Sequence, residues 1–201
     1  VRKMKTRAMA ITEPVLVMAF NRPDHLGILL DRLAEVQPNT VYFAVDGPRP
    51  DRIGETEKVA QVRELRSRIT WTTDVHTLFQ DTNHGCGQGV SKAITWFFEN
   101  VERGIILEDD IIPDPSFFPF CTELLDRYQD DDRVFAVSGC NVVPETAQSH
   151  PEQAYRFAQI TPCGVGQPGS ARGICTLWTQ PVGTSAFHPG SCGINLPAHC
   201  P

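Results

Sequence analysis

The 201-residue chain lacks any apolar run near the ~18 residues that a helix needs to cross a bilayer, so no membrane span is expected. It also lacks a basic excess: 18 Lys and Arg stand against 24 Asp and Glu, a formal charge of −6. Nonspecific nucleic-acid binding needs a cationic footprint, so nucleic acid is set aside as a partner. Seven cysteines are present but no Cys-x-x-Cys pair. Cys86, Cys121 and Cys140 fall in regular-looking segments, where Cys behaves as a small buried hydrophobe. Cys163, Cys175, Cys192 and Cys200, even with His188 and His199 nearby, match no zinc-ligand spacing. A reduced, cytoplasmic protein is the default expectation. The basic start, Val1 to Arg7, is followed by an apolar stretch that Glu13-Pro14 breaks too soon for a secretory leader. A basic arm over residues 1–13 leaves a peripheral touch on an anionic membrane surface open.

What is present is an alternation of strand and helix signals. Pro14 to Phe20 is a continuous apolar run, as in a strand covered on both faces of a parallel sheet. Asn21-Arg22-Pro23-Asp24 turns the chain into a helix whose Leu26, Leu29, Leu30 and Leu33 form one stripe. Thr40 to Val45 reads as a second strand ending in Asp46-Gly47-Pro48, Glu55 to Arg68 as a charged surface helix, and His76 to Phe79 as a weaker strand. The polar, Gly-rich stretch Asp81 to Gly89 reads as a loop leading into a helix with Val90, Ala93, Ile94, Phe97, Phe98 and Val101 on one face. An apolar strand then ends in Glu108-Asp109-Asp110, with Gly104 read as a turn residue before it. A helix over 114–128 and a strand over 133–138 complete the series. Such alternation predicts an α/β fold of three layers, a mostly parallel central sheet flanked by helices.

The acids carry the chemistry. In open α/β sheets ligands bind at the carboxyl ends of the strands, which is where the Glu108-Asp109-Asp110 triplet and Asp46 fall. Three adjacent like charges call for a cation, and a divalent metal bridging a ligand's phosphates is the sharpest reading. The bland one is a solvated acidic turn. Strand alternation would send Glu108 and Asp110 to one face and Asp109 to the other. Asp46 suits a base or ribose hydroxyl, or merely a turn residue in Asp-Gly-Pro. Gly85-Cys86-Gly87-Gln88-Gly89 opens a helix, where backbone N–H groups can face a phosphate. Its G-x-G-x-G spacing is not the G-x-G-x-x-G of dinucleotide binding, so an NAD-dependent oxidoreductase stands as a minor alternative. His25 and His76 read as surface or packing residues, with His84 kept in reserve beside the Gly-rich stretch.

Taken together, Pro14 to Pro23, the Asp46 strand end, Asn83-x-Gly85, and above all Gly104 to Pro113 with Phe117-Phe118 and Val137-Ser138-Gly139-x-Asn141 resemble a known family. The segment 14–162 is similar to nucleotide-sugar glycosyltransferases of the GT-A fold, near the family 2 enzymes. Its acidic motif is similar to that of N-acetylglucosaminyltransferase I type enzymes. The resemblance implies a DxD-like motif in which Asp110, with Glu108, holds Mn²⁺ or Mg²⁺ on a nucleoside diphosphate, a UDP-sugar being favoured. It places Asp109 near the ribose or sugar, and Asn21, Arg22, Asp46, Asn83 and Gly85 around the nucleotide. It implies transfer to a hydroxyl acceptor, a glycan or another, with inversion and a carboxylate base.

The far end departs from the resemblance. No Asp or Glu follows Glu152, only Arg172 is charged after Thr161, and residues 162–201 hold seven Gly, six Pro and four Cys. No helical or strand period survives there, so the domain is expected over 14–161 with an irregular tail over 162–201. The expectation is that this tail is read out of frame, or is a degenerate or truncated remnant of the acceptor half. No residue can then be named as the base. A nucleotide- and metal-binding domain without catalysis is the principal alternative function.

Overall fold

The computed structural model describes residues 11–131, 134, 136–138 and 176–179. The basic arm up to residue 10, the Gly139-x-Asn141 segment and the tail apart from 176–179 lie outside the described residues. Strands β1 (Val15–Ala19), β2 (Thr40–Val45), β3 (Asp74–Phe79), β4 (Arg103–Glu108), β5 (Ala136–Ser138) and β6 (Thr176–Thr179) form one sheet in the order β3-β2-β1-β4-β6-β5. The first four are parallel, with Val15 level with Val41 and Ile105. β6 runs antiparallel to both β4 and β5. The fold is α/β, with a mostly parallel sheet.

Alternating side chains on the central strands feed two separate cores. Val15, Val17, Val41, Phe43, Val45, Ile105 and Leu107 point to one face. There they meet α1 (Pro23–Val36), α2 (Glu55–Glu64) and α4 (Phe117–Arg127), through Leu26, Leu29, Leu30, Leu33, Val59, Val62, Phe118, Cys121 and Leu125. Leu16, Met18, Tyr42, Ala44 and Ile106 point the other way, onto Ala93, Ile94, Phe97 and Phe98 of α3 (Gly85–Phe98). Phe43, Phe97 and Phe118 are fully buried, and sealing a side chain of that size from water stabilises the fold by about 1.5–3 kcal/mol each. Among the described residues the helices therefore flank the sheet on both faces, α1, α2 and α4 on one and α3 on the other.

Local departures from the sequence reading have physical causes. Gly104 lies inside β4 rather than in a turn before it. A Cβ there would sit 2.3 Å from the Phe97 ring and 2.8 Å from the Pro14 carbonyl oxygen, so glycine is what lets α3 lie flat on the sheet. The predicted helix over 55–68 is α2 followed by a 3-10 turn over Leu65–Arg68. β3 extends two residues earlier than its apolar core suggested, because an edge strand exposed along most of its length carries little apolar pattern. Thr176–Thr179 forms a strand within the stretch expected to be irregular. Four residues of Thr-Leu-Trp-Thr have high strand propensity but are too few to establish a period.

Candidate functional site at the carboxyl edge

All four parallel strands release their chains at one edge, and the loops that leave β1, β2, β3 and β4 interlock there. The β1–α1 loop, Phe20-Asn21-Arg22, is gripped at every residue. The Phe20 N–H donates to Asp109 Oδ2 at 3.4 Å, and the Asn21 amide Nδ2 donates to Glu55 Oε1 at 2.9 Å. Arg22 forks across the acidic turn, donating from NH1 to Asp110 Oδ2 at 2.9 Å and from NH2 to Asp109 Oδ1. α1 opens with Pro23 and has no side-chain cap hydrogen bond, and its N-cap residue Arg22 turns its guanidinium to the acids instead.

β4 ends at Glu108, and the Ile111 N–H donates to the Glu108 carbonyl at 3.0 Å, which makes Asp109 and Asp110 the corner of a tight turn. Strand alternation therefore stops before it can separate them, and one guanidinium holds both. Asp109 is 2% exposed. Burial pushes its carboxyl above the usual range, with the Arg22 charge and hydrogen bond opposing. Burial also disfavours the Arg22 charge, but Asp109 and Asp110 hold the guanidinium pKa above its ordinary value. The Glu108 side chain reaches solvent yet is flanked by protein at the strand end. Desolvation first, then Asp110 and Asp109, push its carboxyl up. Two carboxylates thus share the Arg22 guanidinium and a third, Glu108, stands beside them without an ion pair to it, an arrangement rich in negative charge.

No cluster of three His, Cys, Asp or Glu side chains able to hold a metal occurs among the described residues. Any cation held here would take only one or two protein carboxylates. Glu108 and the 39%-exposed Asp110 supply hard oxygens at the surface, and Mg²⁺-type sites complete their shell with phosphate and water.

Asp46 stands at the end of β2 and joins it to the start of α3. Its Oδ1 accepts from the Gly47 N–H at 2.9 Å and the His84 N–H at 3.1 Å, and its Oδ2 from Gly85 N–H and Asn83 Nδ2, both at 3.1 Å. Asn83 also donates to the Gly47 carbonyl at 3.0 Å. His84 Nδ1 is 3.5 Å from Asp46 Oδ1, too long for a good hydrogen bond. The loops touch backbone to backbone: a Cβ on Gly47 would lie 2.4 Å from the Thr82 carbonyl carbon. Of the stretch over 81–89 expected as a loop, Gly85 to Gly89 form the first turn and a half of α3. Its leading N–H groups, which could have faced a phosphate, face the Asp46 carboxylate, which serves as a helix cap supplied from another strand.

Asn21, Arg22, Asp109 and Asp110 therefore form one cluster with Glu108 beside it, and Asp46, Asn83 and Gly85 form a second on the same sheet edge. Sequence reasoning missed Glu55 and Arg49. Glu55 is 5% exposed, covered by its own partners rather than by a deep shell of protein. It accepts from the Arg49 N–H at 2.7 Å, from Arg49 Nε at 3.0 Å and Arg49 NH2 at 2.6 Å, and from Asn21. The Arg49 bonds first, with Asn21 adding, hold its carboxyl down at about 2. The Arg49 guanidinium lies over the Phe20 ring, 5.4 Å from its centroid. An acid in the first turn of a charged helix is common, so nothing in the pattern around Glu55 marked it out.

No family model matches the chain, and neither does any curated protein.

Proposed function

We propose that the carboxyl edge binds a nucleoside-diphosphate sugar, a UDP-sugar in the first instance, and that the chain is a GT-A-type glycosyltransferase domain using Mn²⁺ or Mg²⁺. The observation that carries this reading is the meeting of Phe20-Asn21-Arg22 with Asp109 and Asp110 where β1 and β4 end side by side. A mostly parallel sheet with helices on both faces supports it, since ligands of such sheets sit at this edge. In this reading Glu108 and Asp110 hold the cation. Asp109 organises the β1–α1 loop and keeps Arg22 directed at the site, where its guanidinium suits a diphosphate. Asn21, Asn83 and Gly85 line the nucleotide, with Asp46 setting the α3 start against it. The bound cation supplies Lewis-acid charge for the departing nucleoside diphosphate. Transfer to an acceptor hydroxyl would invert the anomeric centre and needs a carboxylate base.

The second reading, donor binding without transfer, is favoured by one observation: in this cluster Arg22 takes up Asp109 and Asp110, and with Glu108 and Asp110 assigned to the cation no carboxylate of the cluster is left to serve as that base. Turnover of a UDP-sugar with a hydroxyl acceptor separates the two.

The deciding measurement is a thermal shift with uridine diphosphate, with and without Mn²⁺. A ligand at 100 times its Kd adds about 2.7 kcal/mol of stability, several degrees for a domain of this size. Asp110→Asn is expected to abolish the Mn²⁺-dependent part while changing the unliganded melting temperature little, because its bond to Arg22 is exposed. No shift with Mn²⁺ present removes the donor-site reading, and a shift with NADH that needs no metal points instead to an oxidoreductase.

A further inference from the structure

Glu55 has no place in the ligand chemistry above, yet it is a buried acid bonded directly to a residue of the candidate site. We propose that Glu55 is a positioning residue of the nucleotide site, one that acts through Asn21 and never touches ligand itself. The inference rests on the nucleotide-binding reading and goes beyond it in assigning how the β1–α1 loop is held ready.

The geometry is specific. An ionised carboxylate can only accept, so the Asn21 amide must turn its Nδ2 toward Glu55, as the 2.9 Å bond requires. Its Oδ1 is then the oxygen left for a ligand. Asn21 becomes a fixed acceptor that favours a hydroxyl or imide N–H of the nucleotide over another acceptor. The same carboxylate clamps Arg49 through its backbone N–H, Nε and NH2, and Arg49 in turn covers the Phe20 ring. Phe20 and Arg22 are tied from the other side by Asp109. Two buried carboxylates, one from α2 and one from the turn after β4, therefore hold the three loop residues between them. The loop is pre-organised before ligand arrives, which is where affinity is gained without new contacts.

The test is calorimetric titration of uridine diphosphate with Mn²⁺ into the wild-type chain, Glu55→Gln, Asn21→Ala and the double variant, with folding checked by circular dichroism. Glu55→Gln keeps size but offers one acceptor and an amide that must face existing donors, so affinity is expected to fall tenfold or more. Glu55→Asp, which keeps the carboxylate, should recover part of that loss. The double variant should bind no more weakly than the weaker single variant, since both break one linkage. A residue that merely holds the fold would lower the urea midpoint and leave the Kd unchanged. Wild-type binding with undiminished affinity in folded Glu55→Gln overturns the inference and leaves the nucleotide reading standing. Undiminished affinity in Asn21→Ala does the same, and serves if Glu55→Gln does not fold. Failure of the wild type to bind uridine diphosphate removes both.

Discussion

Asp109 shows how much one side chain can settle. In the sequence it is the middle of three acids, and periodicity alone would have turned it away from Asp110. In the structure it is the buried one, taking the Phe20 N–H and the Arg22 guanidinium together. Its neighbour Asp110 remains at the surface on the same guanidinium. The difference arises because β4 stops at Glu108 and a turn begins, an event governed by the packing of Ile111 into the core below. Replacing Asp109 by Asn keeps the shape but removes the charge that Arg22 faces. Arg22 is 44% exposed and keeps Asp110, so a loss of only about 0.5–1.5 kcal/mol is expected, the net worth of one hydrogen bond. Urea denaturation measures it, and an unchanged midpoint with unchanged slope would show the pair to be incidental. The acids themselves were legible as a site candidate. Their partner was not, since Arg22 lies 87 residues from Asp109.

Among the elements, α3 is the one whose start the sequence misplaces. Glycine in a helix interior costs roughly 1 kcal/mol relative to alanine, so Gly85, Gly87 and Gly89 argue locally for a loop. Asp46 overrides that preference by accepting the His84 and Gly85 N–H groups at the helix's open end. Asp46→Ala is expected to destabilise the protein by about 0.5–2 kcal/mol, as loss of a helix cap does. Amide exchange should quicken at the first turn of α3, near Gly87, far more than at Phe97. Uniform quickening along the helix would refute the capping role. The remaining helices were read closely, because α1, α4 and the apolar face of α3 each carry a stripe that answers directly to a core. β3 is legible only over His76 to Phe79, and β6 not at all. One is an exposed edge and the other is four residues long, and neither leaves a period to detect.

For the molecule as a whole, the two ends of the sheet respond oppositely to acid. Glu55, at the carboxyl edge, has its folded pKa held down at about 2 from an ordinary 4.5. Its contribution to stability is present above pH 4.5 and is lost as pH falls toward 2. Glu13, just before β1 at the other edge and bonded to Arg103 at 3.1 Å, is pushed up, by burial first and with Arg103 opposing. Its contribution is present at low pH and fades as pH rises through its folded value. The urea midpoint of the wild type should therefore exceed that of Glu55→Gln at pH 5, with the gap closing as pH approaches 2. A constant gap over that range would show that Glu55 does not titrate between the folded and unfolded chains. The order of strands and helices, the two-faced burial of β1, β2 and β4, and the acids at the strand ends all follow from local pattern. Burial and chain direction act on neighbours a few residues apart, so a linear reading captures them. Which acid is buried, which arginine answers it, that Asp46 caps a helix from another strand, and that Glu55 faces Asn21 all depend on loops from four strands meeting at one edge. Those contacts span 34 to 89 residues of sequence, and only the closed sheet brings their partners within hydrogen-bonding distance.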